Sequence, residues 1–256
     1  MGSDTFDKRM RLSECFHTLR CLPGAWVVLR LDGRGFTRFT EREGFEKPFD
    51  IRFQQLMRHT AQTVLQELHG IYAYTESDEI SVLFRPEWDL FDREVEKLVS
   101  ISASIASTTF SLEHQGRAYF DSRIWLGTNK EQVIDYFRWR QEDAARCALN
   151  GWCYWTLRKE GKSPGAATAE MQGRSIAFKN ELLFQRGINF NDLPLWQRRG
   201  TGIYWETYDK RGYDPRQQKE VLAKRRRIAI AGDLPMKEAY GEFIRSLFHA
   251  QGVDAG

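Results

Sequence analysis

The order in which strand-like and helix-like periods alternate constrains this chain more than any other feature. Ala25 to Leu31 is a short apolar, β-branched run, the mark of a buried strand. Phe53, Leu56, Met57, Thr60, Val64 and Leu68 recur at helical spacing, so about 50–69 is expected to be an amphipathic helix. Ile71–Thr75 and Ile80–Phe84 are two short strands around Glu76-Ser77-Asp78-Glu79. Phe91, Val95, Leu98, Ser102, Ile105 and Phe110 mark a second helix, and Arg117–Leu126 a fourth strand. The order β-α-β-β-α-β is that of a ferredoxin-like, split βαβ unit. It predicts an antiparallel sheet under two helices.

The remainder reads differently. Glu131–Arg158 is one long helical pattern, and Ala166–Arg186 continues as helix. Strand-like alternation returns at Thr201–Trp205, with Arg227–Ala231 as its expected hairpin partner, and about 236–249 is a closing amphipathic helix. The expected class is therefore α+β. A polymerase-palm-like core over 1–129 joins a mainly helical second lobe over 130–256, which ends in a C-terminal β-hairpin. The joint at Gly127-Thr128-Asn129 suits one compact unit better than two separate domains.

Charge and cysteine content narrow the setting. The net charge of +3 does not announce a nucleic-acid partner, so the distribution of charge has to. No apolar run approaches the roughly 18 residues of a membrane span, and the charged start MGSDTFDKRMRL lacks a signal-peptide core. A cytoplasmic chain without a membrane partner is expected. Cys15, Cys21, Cys147 and Cys153 fit no common zinc spacing, so reduced, partly buried thiols are expected.

Two acidic groups carry the candidate chemistry. The first strand ends in Leu31-Asp32-Gly33-Arg34-Gly35-Phe36. An aspartate at a strand end followed by two glycines suits a cation and a closely approaching phosphate; it is also an ordinary turn signal. The second group, Ser77-Asp78-Glu79, lies between the next two strands and is equally a tight hairpin turn. In the β-α-β-β order both groups fall at one edge of the sheet. Asp32 and Asp78 could then share two divalent cations. Hard oxygen ligands suit Mg²⁺, which takes its remaining ligands from water and phosphates. Two-metal phosphoryl or nucleotidyl transfer is the chemistry such a pair supports.

The string LDGRGFTRF, then EKPFD at 46–50 and ESDEISVLF at 76–84, resembles the tRNA-His guanylyltransferase family. The resemblance continues through Phe120-Asp121-Ser122-Arg123, Tyr136–Gln141 and Lys179–Phe184, and covers about 25–205. It implies a 3′-to-5′ nucleotide-adding enzyme acting on the 5′ end of tRNA. It implies that Asp32 and Asp78 bind both Mg²⁺ ions, with the Gly33 carbonyl as a further ligand. Asp32, Gly33, Arg34, Gly35, Phe36 and Thr37, together with Ser77 and Asp78, would surround a nucleoside triphosphate, ATP, GTP or another. Glu79 matches a family acid beside the metals, and Lys47 a lysine near the triphosphate. Arg140 and Gln141 would orient tRNA or cap a surface, and Lys179 and Asn180 are carried over as RNA contacts. The family's homotetramer, a dimer of dimers, is the implied assembly.

One stretch departs from the family. Eukaryotic members carry His-Ile-Asn-Asn-Leu-Tyr-Asn where this chain has Ala145-Arg146-Cys147-Ala148-Leu149-Asn150-Gly151. Only the leucine stands. This resembles the divergent bacterial and archaeal branch, and favours template-directed 5′-end repair of several tRNAs over strict tRNA-His selection.

RNA contact has local support. Trp196–Ile230 holds ten basic residues, Arg216 and the run Lys224-Arg225-Arg226-Arg227 among them, against four acidic ones. The segment's net +6 is twice that of the whole chain. Interleaved aromatics could stack unpaired bases; a solvated basic face on a hairpin explains the same residues. A palm-type nucleotide cyclase or signal nucleotidyltransferase would share Asp32 and Asp78 without needing this basic lobe. A non-catalytic RNA-binding protein would not need both aspartates.

Overall fold

The computed structural model describes residues 3–214, 218–250 and 252. One six-stranded antiparallel sheet runs through it in the order β4-β1-β3-β2-β5-β6. The strands are β1 (Trp26–Gly33), β2 (Tyr72–Glu76), β3 (Glu79–Phe84), β4 (Phe120–Gly127), β5 (Thr201–Asp214) and β6 (Lys219–Ala231). The helices are α1 (Ser3–Arg11), α2 (Phe36–Arg42), α3 (Ile51–Glu67), α4 (Val95–His114), α5 (Lys130–Lys159), α6 (Pro164–Met171), α7 (Ile176–Phe184), α8 (Leu195–Arg199) and α9 (Glu238–Ala250). This is a mixed helical and antiparallel-sheet, α+β, architecture.

The central strands β1 and β3 are covered on both faces. Val27, Leu29 and Leu31 of β1 and Ile80, Val82 and Phe84 of β3 pack with Met57, Val64, Leu98 and Phe110 of α3 and α4. Trp26 and Val28 point the other way, against Val133, Phe137, Ile244 and Phe248 of α5 and α9. Burial on both faces explains why β1 and β3 read as continuous apolar runs. A third cluster, with Leu149, Cys153, Leu157, Ala167 and Leu183, holds α6 and α7 on the far half of α5. All four cysteines are free, Cys21 and Cys153 buried and Cys15 and Cys147 exposed.

The second half of the chain extends the sheet of the first: β2 pairs with β5 from Tyr72↔Tyr204 to Thr75↔Thr201. Beyond Tyr204, β5 pairs among the described residues only with β6. Ten further pairs, Trp205↔Ile228 to Asp214↔Lys219, form a two-stranded ribbon, roughly 30 Å long at strand rise.

Three expectations need correction. The helix expected over Ala166–Arg186 is two helices, broken at Gly173 with φ +70°. Ser163 and Ser175 cap them, accepting bonds from the Ala166 and Phe178 N–H groups. The hairpin strands are also longer than Thr201–Trp205 and Arg227–Ala231: a ribbon with no buried face imposes no apolar alternation, so its outer half leaves no period to read. The run Lys224–Arg227 accordingly lies in mid-strand. Arg216 lies outside the described residues. Thirdly, α2 follows directly on β1, in a stretch read only as a phosphate-approaching turn.

Candidate active site

Two turns meet at one edge of the sheet. Asp32, at the end of β1, stands opposite Glu79 on one side and Asp121 on the other. The Gly33 N–H donates to the Asp78 carbonyl at 3.0 Å, so the end of β1 is tied to the β2–β3 turn. Local sequence dictates this corner. A Cβ at Gly33 would lie 2.6 Å from the Phe36 ring. Gly35 takes φ +71° where α2 begins, a conformation costly for other residues. Phe36, Phe39 and Thr40 are then buried at helical spacing. Ser77 bends the β2–β3 turn with φ +48°.

Electrostatics mark the same corner. The Asp78 carboxyl is pushed up to about 6, first by burial and next by the charge of Asp32. Burial also raises Asp32, with Asp121 next among the causes. Glu76 is pushed up to about 8 by burial and by Glu79 and Asp78. Burial and mutual repulsion among these carboxylates thus outweigh the guanidinium groups nearby. Among the described residues no group of three or more His, Cys, Asp or Glu side chains could enclose a metal by itself. Two hard carboxylates with an excess of negative charge fit Mg²⁺, which keeps waters and takes phosphate oxygens as further ligands.

A cavity of about 240 Å³ opens on the Asp78 side. Phe36, Thr37, Lys47, Ser77 and Asp78 line it, as do Trp155 and Trp196. Asp32, Gly33, Arg34 and Gly35 lie outside its wall, so only part of the 32–37 string faces this space. The Lys47 ammonium donates to the Thr40 hydroxyl and lies 5.5 Å from the Trp155 ring centroid. Burial lowers its affinity for a proton. The loop carrying it is braced by Asp50, which accepts from the Glu46 and Arg52 N–H groups at 2.8 and 2.7 Å and caps α3.

Arg140 and Gln141 are buried, so neither of their expected places, against tRNA or as a surface cap, is theirs. Arg140 is 6% exposed and grips Glu79 with two bonds, Nε to Oε1 at 2.7 Å and Nη2 to Oε2 at 2.9 Å. Its Nη2 also donates to Asp143 at 3.1 Å. Gln141 is 1% exposed and donates to the Pro235 carbonyl at 2.9 Å. Both lie on the α5 face turned to the body of the protein, where a buried guanidinium requires a carboxylate. Glu79 is therefore the anchor of Arg140, which defines the support the sequence left open. Lys179 and Asn180 lie half-buried on α7, the Asn180 amide donating to the Ile176 carbonyl of its own helix at 2.9 Å. Lys224, Arg225, Arg226 and Arg227 are exposed on the ribbon. Arg226 lies over Trp205, and Arg227 pairs with Glu206 at 2.7 Å.

The sequence reading missed the cavity's far wall. Trp155 and Trp196 come from α5 and α8, and Cys147, Ala148 and Gly151 complete the α5 side. Three of the departing positions in Ala145–Gly151 thus face the cavity. Their spacing of one, three and four residues, one helix face, was the available signal.

A metal-compatible carboxylate pair, a cavity walled by aromatic rings and a lysine beside it define a nucleotide-handling enzyme of the phosphoryl-transferring class. Family models agree: residues 7–131 match tRNAHis guanylyltransferase and residues 131–233 match the Thg1 C terminal domain. The chain is 36% identical over 222 residues to a probable tRNA(His) guanylyltransferase of Mus musculus, covering 82% of this chain and 74% of that one. Its likeness to the Homo sapiens counterpart is 38% over 203 residues, 74% and 68% of the two chains. Among solved structures, a bacterial tRNA(His) guanylyltransferase (Thg1)-like protein in complex with ATP superposes with a TM-score of 0.74 at 25% identity, covering 94% and 97%. The tRNA(His) guanylyltransferase of Saccharomyces cerevisiae gives 0.69 at 27% identity, covering 84% and 94%. The chain belongs to the tRNA(His) guanylyltransferase family and is a nucleotidyltransferase.

Proposed function

We propose that this enzyme adds nucleotides to the 5′ end of tRNA in the 3′-to-5′ direction, using ATP and GTP or other nucleoside triphosphates. The observation that carries the reading is the junction of the two carboxylate turns with the aromatic, lysine-bearing cavity. The strand order β4-β1-β3-β2, that of a split βαβ unit, supports a palm-like core. Family membership and the ATP-bound and GTP-bound structural neighbours support the substrates.

A 5′-monophosphate is a poor electrophile, because its leaving group would be hydroxide. In the proposed sequence its oxygen first attacks the α-phosphorus of ATP and expels pyrophosphate. The 3′-hydroxyl of an incoming nucleotide then attacks the activated 5′ phosphorus and expels AMP. A 5′-triphosphate end needs no activation. Asp32, Asp78 and the Gly33 carbonyl are the groups that would hold Mg²⁺, whose chemistry is to acidify a hydroxyl and neutralise charge on phosphoryl oxygens. Lys47 offsets triphosphate charge at the cavity wall. The rings of Trp155 and Trp196 bury a base and exclude water.

Template-directed repair of several tRNAs is the proposed specificity. With Cys147, Ala148 and Gly151 on the wall, the α5 side of the cavity offers no side-chain amide there. Watson–Crick pairing with the opposite strand can then set base identity while the protein reads RNA shape and phosphates. Homotetrameric assembly in the cytoplasm completes the proposal. Incubation with tRNA lacking its first nucleotide, Mg²⁺, ATP and each nucleoside triphosphate in turn tests it. The added nucleotide should change with the template base. Addition of guanosine to tRNA-His alone, whatever the template, would overturn the repair reading.

A further inference from the structure

Of the three aromatics in Tyr136–Gln141 the fold buries Tyr136 and Phe137 and leaves Trp139 51% exposed. Trp139 stands beside the carboxylate site and does not line the cavity. Arg30 and Asp32 are two residues apart on β1 and so share a face of the sheet. It is the face that packs under α5, since Trp26 and Val28 continue it. The Arg30 guanidinium lies 5.8 Å from the Trp139 ring centroid and that of Arg140 lies 4.5 Å away. Arg140 is itself fixed by its two bonds to Glu79, and the Tyr136 ring meets Trp139 edge-on at 5.9 Å. The indole is therefore open yet held in one place. Arg123 and Arg30 are also the leading cations whose fields reach Asp32.

None of Arg30, Asp32, Arg123, Trp139 and Arg140 lines the cavity. The site thus has two approaches: a concave one beside Asp78 and an exposed one at Trp139. Nucleotidyl transfer must bring two partners to the same carboxylate pair. A cavity of about 240 Å³ holds a small molecule and has no room for a folded RNA terminus. The polymer has to arrive from the open side, where the exposed ring and its neighbouring guanidinium groups are. The geometry points to Trp139 as the platform on which the 5′-terminal base of the RNA stacks, an inference that rests on the RNA-extending function proposed above. A nucleobase is the chemistry such a ring recognises. A rigid, half-open indole flanked by cations gives stacking without base identity, which suits an enzyme whose base choice comes from a template.

The test uses the full chain and tRNA carrying 2-aminopurine as its 5′-terminal base, with metal withheld so that no transfer occurs. Binding should quench the 2-aminopurine in the wild type. Trp139→Ala should lose the quench and, in turnover assays with metal restored, raise KM for RNA by roughly 10- to 100-fold, the usual range for a base–aromatic stack, with KM for ATP unchanged. Trp139→Phe should restore most of both. Trp139→Leu keeps the apolar bulk without a π face, so it should behave as the alanine variant even if alanine disturbs the fold. An unaltered quench and RNA KM in the Ala and Leu variants would overturn the proposal. A raised nucleoside triphosphate KM with RNA unaffected would assign the ring to the free nucleotide and also overturn it. Failure of the wild type to bind or extend RNA would bring down the functional reading with it, whereas a wild-type quench and RNA KM in Trp139→Leu would bring down this inference alone.

Discussion

The middle of the sheet and its far end are built on opposite terms. Every residue of β3 is buried, and β1 has only Arg30 and Asp32 partly open. The β5–β6 ribbon has solvent on both faces, with Tyr213 and Leu222 each 63% exposed. In the middle, packing on both sides fixes position to the tolerance that the proposed displacement needs. The ribbon is anchored at its base by the Trp205 indole, which donates to the Gly70 carbonyl, and by Ile228 against the core; farther out backbone pairing is its main hold, and an isolated two-stranded hairpin is marginal by itself. The division of labour follows. Carboxylates that are costly to bring together are placed where the scaffold is stiffest. Contacts to a large, negatively charged polymer are proposed where the chain can comply and where Lys and Arg also keep an edge strand from pairing with another copy.

The sharpest way to break this comparison is at the carboxylates. Asp32→Ala or Asp78→Ala should lower the rate of single-turnover addition by at least about 10³-fold, the scale of losses at charge-stabilising groups. Neither should unfold the protein, because each removal relieves like-charge crowding in a stiff frame. Mg²⁺ should raise the thermal midpoint of the wild type and not of either variant, as linkage requires of a ligand that binds only the native state. Near-normal rates in either variant would show that the corner is only a turn.

Arg140 tests whether the stiffness beside that corner is real. Replacing it with methionine leaves Glu79, 8% exposed, without its two-bond partner. Loss of one member of a buried pair costs about 3–5 kcal/mol. Urea unfolding should show that loss, and a double variant with Glu79→Gln should recover part of it. Full recovery of neither stability nor activity is required; a single-variant cost under about 1 kcal/mol would contradict the buried-pair account.

Lys47 and Asp50 probe the loop between the two regimes. Lys47→Ala should raise KM for ATP by roughly 10- to 100-fold, the scale of a charge-assisted hydrogen bond, with tRNA affinity unchanged. Loss of RNA affinity instead would move Lys47 to the RNA surface. Asp50→Ala removes the cap of α3 and the brace on Glu46, and should cost about 1 kcal/mol. The Asp50 carboxyl is held at about 2, chiefly by its bonds from Arg52. A carboxylate depressed in the folded state stabilises above its unfolded value of 3.8, and this stability is lost as pH falls toward 2. Wild type and Asp50→Ala should therefore converge in stability at the acid end. A gap that stays constant down to that pH would remove the ionic part of the argument.

What the sequence made legible follows the same gradient. The regular elements from β1 to α5, α2 apart, announced themselves by period: α3, α4, α5 and strands β1 to β4 fall within a few residues of their expected bounds. The carboxylate corner was legible because Asp32 lies near the end of one of those strands and Asp78 in the turn between two others. Legibility ended where position depends on contacts distant in sequence. Arg140 in Tyr-Phe-Arg-Trp-Arg-Gln looks like a surface cation until α5 is laid across the sheet and its partner proves to be Glu79, 61 residues away. The aromatic wall from Trp155 and Trp196 is invisible for the same reason. The ribbon was underestimated because neither of its faces is buried.

The smallest effect is expected at the ribbon, and it separates two readings of one basic run. Replacing Lys224, Arg225, Arg226 and Arg227 with serine should leave the melting temperature nearly unchanged, since these side chains are exposed. Arg226 and Arg227 are already engaged with Trp205 and Glu206, so part of the run's charge is neutralised internally and the loss of tRNA affinity should be modest. The informative quantity is the salt dependence. Removing one phosphate-neutralising cation reduces the slope of log K against log salt by about 0.9 on a duplex, so a change of about two is expected. Addition from saturating RNA should survive, because the carboxylate corner is untouched. If the run only solvates an outer strand, the serine protein will show the wild-type slope and affinity and will aggregate more readily. Parallel slopes at equal affinity would therefore remove the ribbon from the RNA surface and leave the stiff middle of the sheet to do both jobs.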